Sequence, residues 1–116
     1  MRRGEVYWAD LQPRSGSEQR GTRPVIVVSH DAFNQVSGWR SVIVVPCTTS
    51  QSQSRRGPTA VPLARGAGGL EKSGLAICHQ ITTLDRSKLT RRIGSLSQKD
   101  LRAVEAGILA ALDLVH

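Results

Sequence analysis

Arg40-Ser41-Val42-Ile43-Val44-Val45-Pro46-Cys47-Thr48-Thr49 is the stretch on which the fold turns. Val42 to Val45 are all β-branched, and branching at Cβ suits extended backbone better than helix. The run, from Arg40 to Thr48, therefore predicts a strand. Neighbouring side chains on a strand point to opposite faces, so Val42–Val45 is apolar on both. A strand of that kind must be covered on both sides, as in the centre of a sheet or the wall of a barrel. At its far end the apolar run gives way to hydroxyls, Thr48 and Thr49. A threonine at a strand end ordinarily satisfies backbone groups, so the pair taken alone carries no function.

Working outward, Gly4 to Asp10 predicts a strand with Tyr7 and Trp8 supplying β propensity. Leu11 to Thr22 is rich in turn formers and reads as a long loop. Pro24 then opens a second strand, Val25–Val28, as proline is tolerated at a strand's first residue. Ser29-His30-Asp31 can cap a short helical turn running through Phe33 and Val36. Beyond the central strand, Thr49 to Gly57 reads as a mobile loop. Thr59–Leu63 is a short strand, and Arg65-Gly66-Ala67-Gly68-Gly69 a flexible turn. That turn is no phosphate-cradling P-loop, since no Gly-Lys-Ser/Thr follows it. Gly74 to Thr82 is expected as a fifth strand and Arg92 to Leu96 as a sixth. Ser97 and Asp100 stand like a capping box, and Leu101, Val104, Ile108, Leu112 and Val115 recur at helical offsets. The expected fold is mainly β with a C-terminal helix: a small, strongly bent antiparallel sheet or barrel of five to six strands, one domain over residues 1–116.

Composition narrows the function. With 116 residues, 39% hydrophobic and 22% charged, the chain can bury a core but cannot hold a two-lobed enzyme. Its longest apolar run is Ile108–Leu112, far short of the ~18 residues of a membrane span. No apolar stretch follows the first charges, so no signal peptide and a cytoplasmic location are expected. The net charge is +7 and thirteen of the sixteen basic residues are arginine, whose planar fork grips phosphate bidentately. That balance favours a polyanion or an acidic protein as partner. Tyr7, Trp8, Phe33 and Trp39 are the only aromatics, too few for a platform that stacks several bases. Cys47 and Cys78 lie in apolar runs and, with His30, His79 and His116, show no ligand spacing. Buried structural thiols are expected, and neither metal nor cofactor.

The segment Gly16-Ser17-Glu18-Gln19-Arg20-Gly21-Thr22-Arg23-Pro24 joins a polar loop to a rigid strand start, and a residue preceding proline is confined to extended backbone. Arg23 is thereby aimed. No nucleophile elbow and no pair of carboxylates at catalytic spacing occurs. One reaction needs neither: attack of an RNA 2′-hydroxyl on the adjacent phosphorus. It requires a base, an acid for the leaving 5′-oxygen, and donors or positive charge on the phosphoryl oxygens. RNA-binding modules share the same composition, so compatibility alone does not decide.

A resemblance does. Arg3-Gly4-Glu5-Val6-Tyr7-Trp8-Ala9-Asp10-Leu11, then Gly16-Ser17-Glu18-Gln19, Thr22-Arg23-Pro24-Val25, Val44-Val45-Pro46-Cys47-Thr48-Thr49 and Gln80-Ile81-Thr82-Thr83-Leu84-Asp85, in this order, resemble the MazF/PemK family of toxin–antitoxin endoribonucleases. The likeness runs from about Arg3 into the final helix. It implies an SH3-like, CcdB-type barrel, a homodimer, and metal-independent cutting of single-stranded RNA at short sequences. It also implies control by a cognate antitoxin with an acidic tail. Carried over by position, Arg23 and Thr48 match the family's catalytic arginine and threonine, and Glu18 and Gln19 lie in the loop that shapes the site. Gln19, Arg20, Thr49, Arg55, Arg56 and Gln80 are the expected RNA contacts. Two positions depart from the pattern: His79 stands where an acidic residue is common, and Thr82 where a basic one is.

Arginine scarcely accepts a proton near pH 7, so the base is Glu18 or His79, and imidazole is the better matched to neutral pH. If the fifth strand alternates, Cys78 faces the core and His79 the opposite face, within range of Thr48. Two further readings stand beside the nuclease: a non-catalytic toxin of the same barrel acting on DNA gyrase, and a plain RNA-binding barrel.

Overall fold

The structure, a computed structural model, describes residues 1–12, 15–16, 18–19 and 21–114, with all their side chains except those of Gln53 and Arg56. Arg20, Val115 and His116 lie outside the described residues. Seven strands form: β1 (Glu5–Asp10), β2 (Thr22–Val27), β3 (Ser41–Thr48), β4 (Ala60–Leu63), β5 (Gly74–Ile77), β6 (Thr82–Asp85) and β7 (Leu89–Ser95). Two helices accompany them, α1 (Asp31–Asn34) and α2 (Gln98–Ala111). The mainly-β architecture with a C-terminal helix is as expected; the strand count is seven rather than five or six. All pairings are antiparallel, in the order β4-β5-β3-β2-β1-β7, with β6 also on β3.

β3 is the central strand, as its two-faced apolar run requires. Val45 and Cys47 point into one core with Val6, Ile26, Val61, Cys78 and Val104. Val42 and Val44 point the other way, into a second core with Ala9, Leu11, Val25, Val27 and Leu84. Each core is apolar on both walls, and neither face of β3 meets water along Val44–Thr48.

One edge of β3 is shared between two partners. Cys47 and Thr48 pair with β5, whereas Ser41 to Val44 pair with β6. Between them the chain steps through a 3₁₀ turn, Cys78–Gln80, opposite the part of β3 where Pro46 has no N–H to donate. The single strand expected over Gly74–Thr82 is therefore two strands and a turn. Other boundaries also shift. β2 begins at Thr22, two residues before Pro24, and Thr49–Gly57 is largely taken up by 3₁₀ turns spanning Gln51–Thr59. His30 caps α1, its Nδ1 accepting the Ala32 N–H at 2.8 Å. β7 begins at Leu89, three residues before the expected Arg92.

α2 closes the first core. Ser97 Oγ accepts the Asp100 N–H at 3.1 Å, the cap read from the sequence. Val104 is fully buried, and Leu101 and Ile108 pack beside it. A Cβ on Gly107 would lie 2.7 Å from Cys78 Sγ and 2.6 Å from a Val61 methyl, so this glycine sets how closely the helix approaches the sheet. The expected stripe ends early, because the helix stops at Ala111 and Leu112 is 51% exposed. Arg3 ties the N-terminal segment to α2 through a 2.6 Å ion pair with Glu105. Among the described residues no helix is long and apolar enough to cross a membrane.

Candidate active site

β2 begins at Thr22, β3 finishes at Thr48 and β5 begins at Gly74. Antiparallel neighbours start where the central strand stops, so these three positions lie at one end of the sheet. There a cleft of about 600 Å³ opens, walled by Trp8, Arg23, Thr48, Thr49, Lys72 and Arg91 among others. Arg23 stands opposite Ala9 in the β1–β2 register, half-buried, in the extended conformation its following proline demands. Thr48 is 5% exposed, and its Oγ1 accepts the Ser50 N–H at 3.1 Å, which leaves the hydroxyl proton for another acceptor. Thr48 is also braced from the neighbouring strand. A Cβ on Gly74 would lie 2.5 Å from the Thr48 carbonyl oxygen, so a side chain there would force β5 away.

The cleft is strongly cationic for a reason the sequence reading missed. The β1–β7 register shifts between Val6 and Tyr7 and again between Trp8 and Ala9. Plain alternation would send Arg92 away from Arg91 and Ile93, yet all three border the cleft. Arg92 is committed to Glu5, with Nε 2.6 Å from Oε2, and to Ser95 Oγ. Burial pushes the Glu5 carboxyl up, but hydrogen bonds from Arg92, the Arg2 amide and the Tyr7 hydroxyl outweigh it and hold the group below the usual carboxylate range. Burial, then the charge of Glu5, raises Tyr7. Arg91 and Lys72 are exposed and have no side-chain partner among the described residues. Glu71 is the carboxylate on this wall. The available signal was the pair Arg91-Arg92 between Leu89 and Ile93, a doubled charge inside a β pattern.

A smaller hollow of about 190 Å³ borders the preceding residue of β3, Pro46, and is lined by Glu18, Gln19, His79, Gln80 and Thr82 among others. Pro46 borders this hollow and Cys47 the cleft. The loop is stapled to the 3₁₀ turn by the Gln19 N–H, which donates to Gln80 Oε1 at 2.6 Å. Glu18 Oε1 accepts the Ser15 hydroxyl at 3.2 Å. His79 sits in the turn and not on a strand, so the alternation that was to aim it at Thr48 does not exist. The two expected base residues, Glu18 and His79, share this hollow, whereas Arg23, Thr48 and Thr49 share the cleft. Arg55 is exposed on the Gln51–Thr59 segment and lines neither; the Arg56 side chain and all of Arg20 lie outside the description.

Both cysteines are free and buried, as expected. Burial pushes both thiols up to about 12, so neither offers a thiolate near neutral pH, although Cys47 borders the cleft. Among the described residues no three His, Cys, Asp or Glu side chains gather as metal ligands.

The family described as PemK-like, MazF-like toxin of type II toxin–antitoxin system matches residues 2–112. Endoribonuclease MazF of Staphylococcus saprophyticus is 36% identical over 114 residues, covering 98% of this chain and 92% of its own. Endoribonuclease EndoA of Bacillus subtilis is 35% identical over 115 residues, covering 99% and 97%. A solved mycobacterial endoribonuclease in complex with its cognate antitoxin superposes with a TM-score of 0.79 at 26% identity, over 98% of this chain and 96% of that one.

Proposed function

We propose, from the premise that this chain belongs to the PemK-like, MazF-like family of toxins of type II toxin–antitoxin systems, that it is an endoribonuclease with its centre in the Arg23–Thr48 cleft. The substrate is single-stranded RNA and the chain works as one domain, in a cytoplasmic homodimer. A cognate antitoxin neutralises it through an acidic segment laid over the same cationic surface. The observation that carries the reading is Arg23 and Thr48 on two abutting strand ends, in a cleft rimmed by Lys72, Arg91 and Arg92.

The reaction is an internal transfer. The RNA 2′-oxygen attacks the adjacent phosphorus, the bond to the 5′-oxygen breaks, and the products are a 2′,3′-cyclic phosphate and a free 5′-hydroxyl. Negative charge grows on the phosphoryl oxygens as the attack proceeds. Arg23 offers them a bidentate fork and Thr48 a hydroxyl, both fixed before the reaction begins. The base takes the 2′-proton and the departing 5′-oxygen takes one from water, so protons balance and the step needs no metal. That base must lie within about 2.6–3.2 Å of the 2′-proton, or one water away. Glu18 and His79 hold that role between them, with the RNA strand passing over cleft and hollow across Pro46 and Cys47. Gln19, Thr49 and Gln80 border its path.

Incubating the purified protein with a long single-stranded RNA in EDTA tests the reading. Discrete fragments ending in cyclic phosphate are expected. Intact RNA with inhibited DNA supercoiling would mark a gyrase poison, and a gel shift alone a binding module.

A further inference from the structure

We propose that Trp8 and Arg91 form a subsite for one unpaired nucleobase next to the scissile phosphate, the base stacking on the indole and its phosphate meeting the guanidinium. The proposal deepens the nuclease reading and rests on it for the position of that phosphate. Trp8 is the aromatic residue on the cleft wall among the described residues, and it is half-buried on β1. Its cross-strand neighbours are Pro24 on one side and Arg91 on the other. Pro24 adjoins Arg23 in the chain, so the indole lies one residue across from the strand position that carries the catalytic arginine.

Three observations converge. The β1–β7 register slips on both sides of the Tyr7–Trp8 pair, and Thr90 Oγ1 reaches the Trp8 carbonyl at 3.3 Å. Bulges of this kind re-aim side chains beside active sites. The slip between Val6 and Tyr7 brings Arg91 in place of Arg92 opposite Trp8, and the two residues border the same cleft. Next, the cations here differ in availability. Arg92 is spent on Glu5 and Ser95, whereas Arg91 and Lys72 have no side-chain partner among the described residues. Finally, the charge lies beside an apolar aromatic surface. A π face edged by available cations complements a ligand with both a π face and a phosphate at nucleotide spacing, which is single-stranded nucleic acid. An acidic peptide offers the charge without an obligatory ring. Duplex RNA keeps its bases stacked inside. One indole accommodates one base, in keeping with a chain that has four aromatics in all.

The test uses a short single-stranded RNA spanning a mapped cut site, with a 2′-deoxy sugar at the attacking nucleotide so that it binds uncut. Trp39→Phe leaves Trp8 as the only tryptophan, and this RNA should then quench its emission. Trp8→Ala should weaken binding by roughly 5- to 150-fold, the span of one base–aromatic stack, while Trp8→Phe stays within about threefold. Removing the base at the contacted nucleotide should weaken wild type by a similar factor and leave Trp8→Ala unchanged, a coupling that a merely structural Trp8 would not produce. Arg91→Ala should flatten the salt dependence of binding by about one phosphate contact. If wild type cuts RNA normally but abasic substitution at no position depends on Trp8, the subsite is overturned and the nuclease reading stands. If wild type leaves RNA intact yet an unstructured RNA still quenches Trp8 with abasic coupling, the nuclease reading falls and the subsite stands. Quenching by an acidic peptide but not by RNA would overturn the subsite in favour of a peptide groove.

Discussion

The cleft and the hollow border adjacent residues of β3, Cys47 and Pro46, yet they are built from different material. The cleft takes Arg23 and Thr48 from strand ends held by ladder pairing and by the close approach of Gly74 to the Thr48 carbonyl, with Lys72 added from the segment before β5. The hollow takes its residues from the loop after β1 and from the 3₁₀ turn after β5, joined by the Gln19–Gln80 hydrogen bond. Stabilising charge on phosphoryl oxygens depends on donors placed before reaction, because reorganising them would cost what they contribute. Accepting a proton from a sugar hydroxyl tolerates a water in between. In the proposed mechanism, placing the phosphate donors in the cleft and the base in the loop-and-turn hollow matches that difference in tolerance.

The sharpest way to break this comparison is at Arg23. Arg23→Ala should lower kcat for RNA cleavage by roughly 10²–10³-fold with the fold intact by circular dichroism, the usual cost of losing a charge-stabilising donor. Arg23→Lys should recover little, since a point charge does not replace a planar fork. Activity within about threefold of wild type in either variant would remove Arg23 from the centre.

The next largest effect is expected in the hollow. His79→Gln should cost about 100-fold and erase the acidic limb of the pH–rate profile. The sign follows from the role: a base must be unprotonated, so rate rises with pH through its pKa. An unchanged profile would hand the role to Glu18.

Thr48→Val tests the cleft more gently. It deletes one neutral donor of nearly equal volume, so a loss of about tenfold in kcat is expected, together with about 1 kcal/mol of stability from the orphaned Ser50 N–H. Cleavage at the wild-type rate would leave Thr48 a structural residue only. The smallest effect belongs to Gln80→Ala, which unpins Gln19. KM should rise about threefold to tenfold with kcat nearly unchanged, consistent with one hydrogen bond of about 1 kcal/mol ordering the loop. A fall in kcat larger than the rise in KM would show that the hollow is as preorganised as the cleft.

How much of this was legible beforehand varied with the range of the interaction. Val42–Val45 announced a strand covered on both faces; the two cores bury Val42, Val44 and Val45, whereas Ile43 stays 41% exposed. Ser97 and Asp100 announced the start of α2, and Leu101, Val104 and Ile108 its buried face. Arg23 was confined by the proline that follows it. These are properties of a residue and its chain neighbours, set by side-chain period, capping chemistry and φ/ψ restriction, and they survive whatever surrounds them.

The convergence of side chains from distant segments was not of that kind. His79 left its expected strand because β3 divides one edge between β5 and β6, and no residue near His79 encodes that division. Leu112 fell outside the buried stripe because α2 ends at Ala111, one residue before it. Arg91 and Trp8 came to share a wall through two slips of register between strands about eighty residues apart in the chain, and period-two reading assumes no slip. By itself the sequence determined the central strand, the start of the C-terminal helix, the charge and the family motifs. Only the tertiary structure decided which of those groups meet, because hydrogen-bond register and close packing act between segments, where local propensity carries no information.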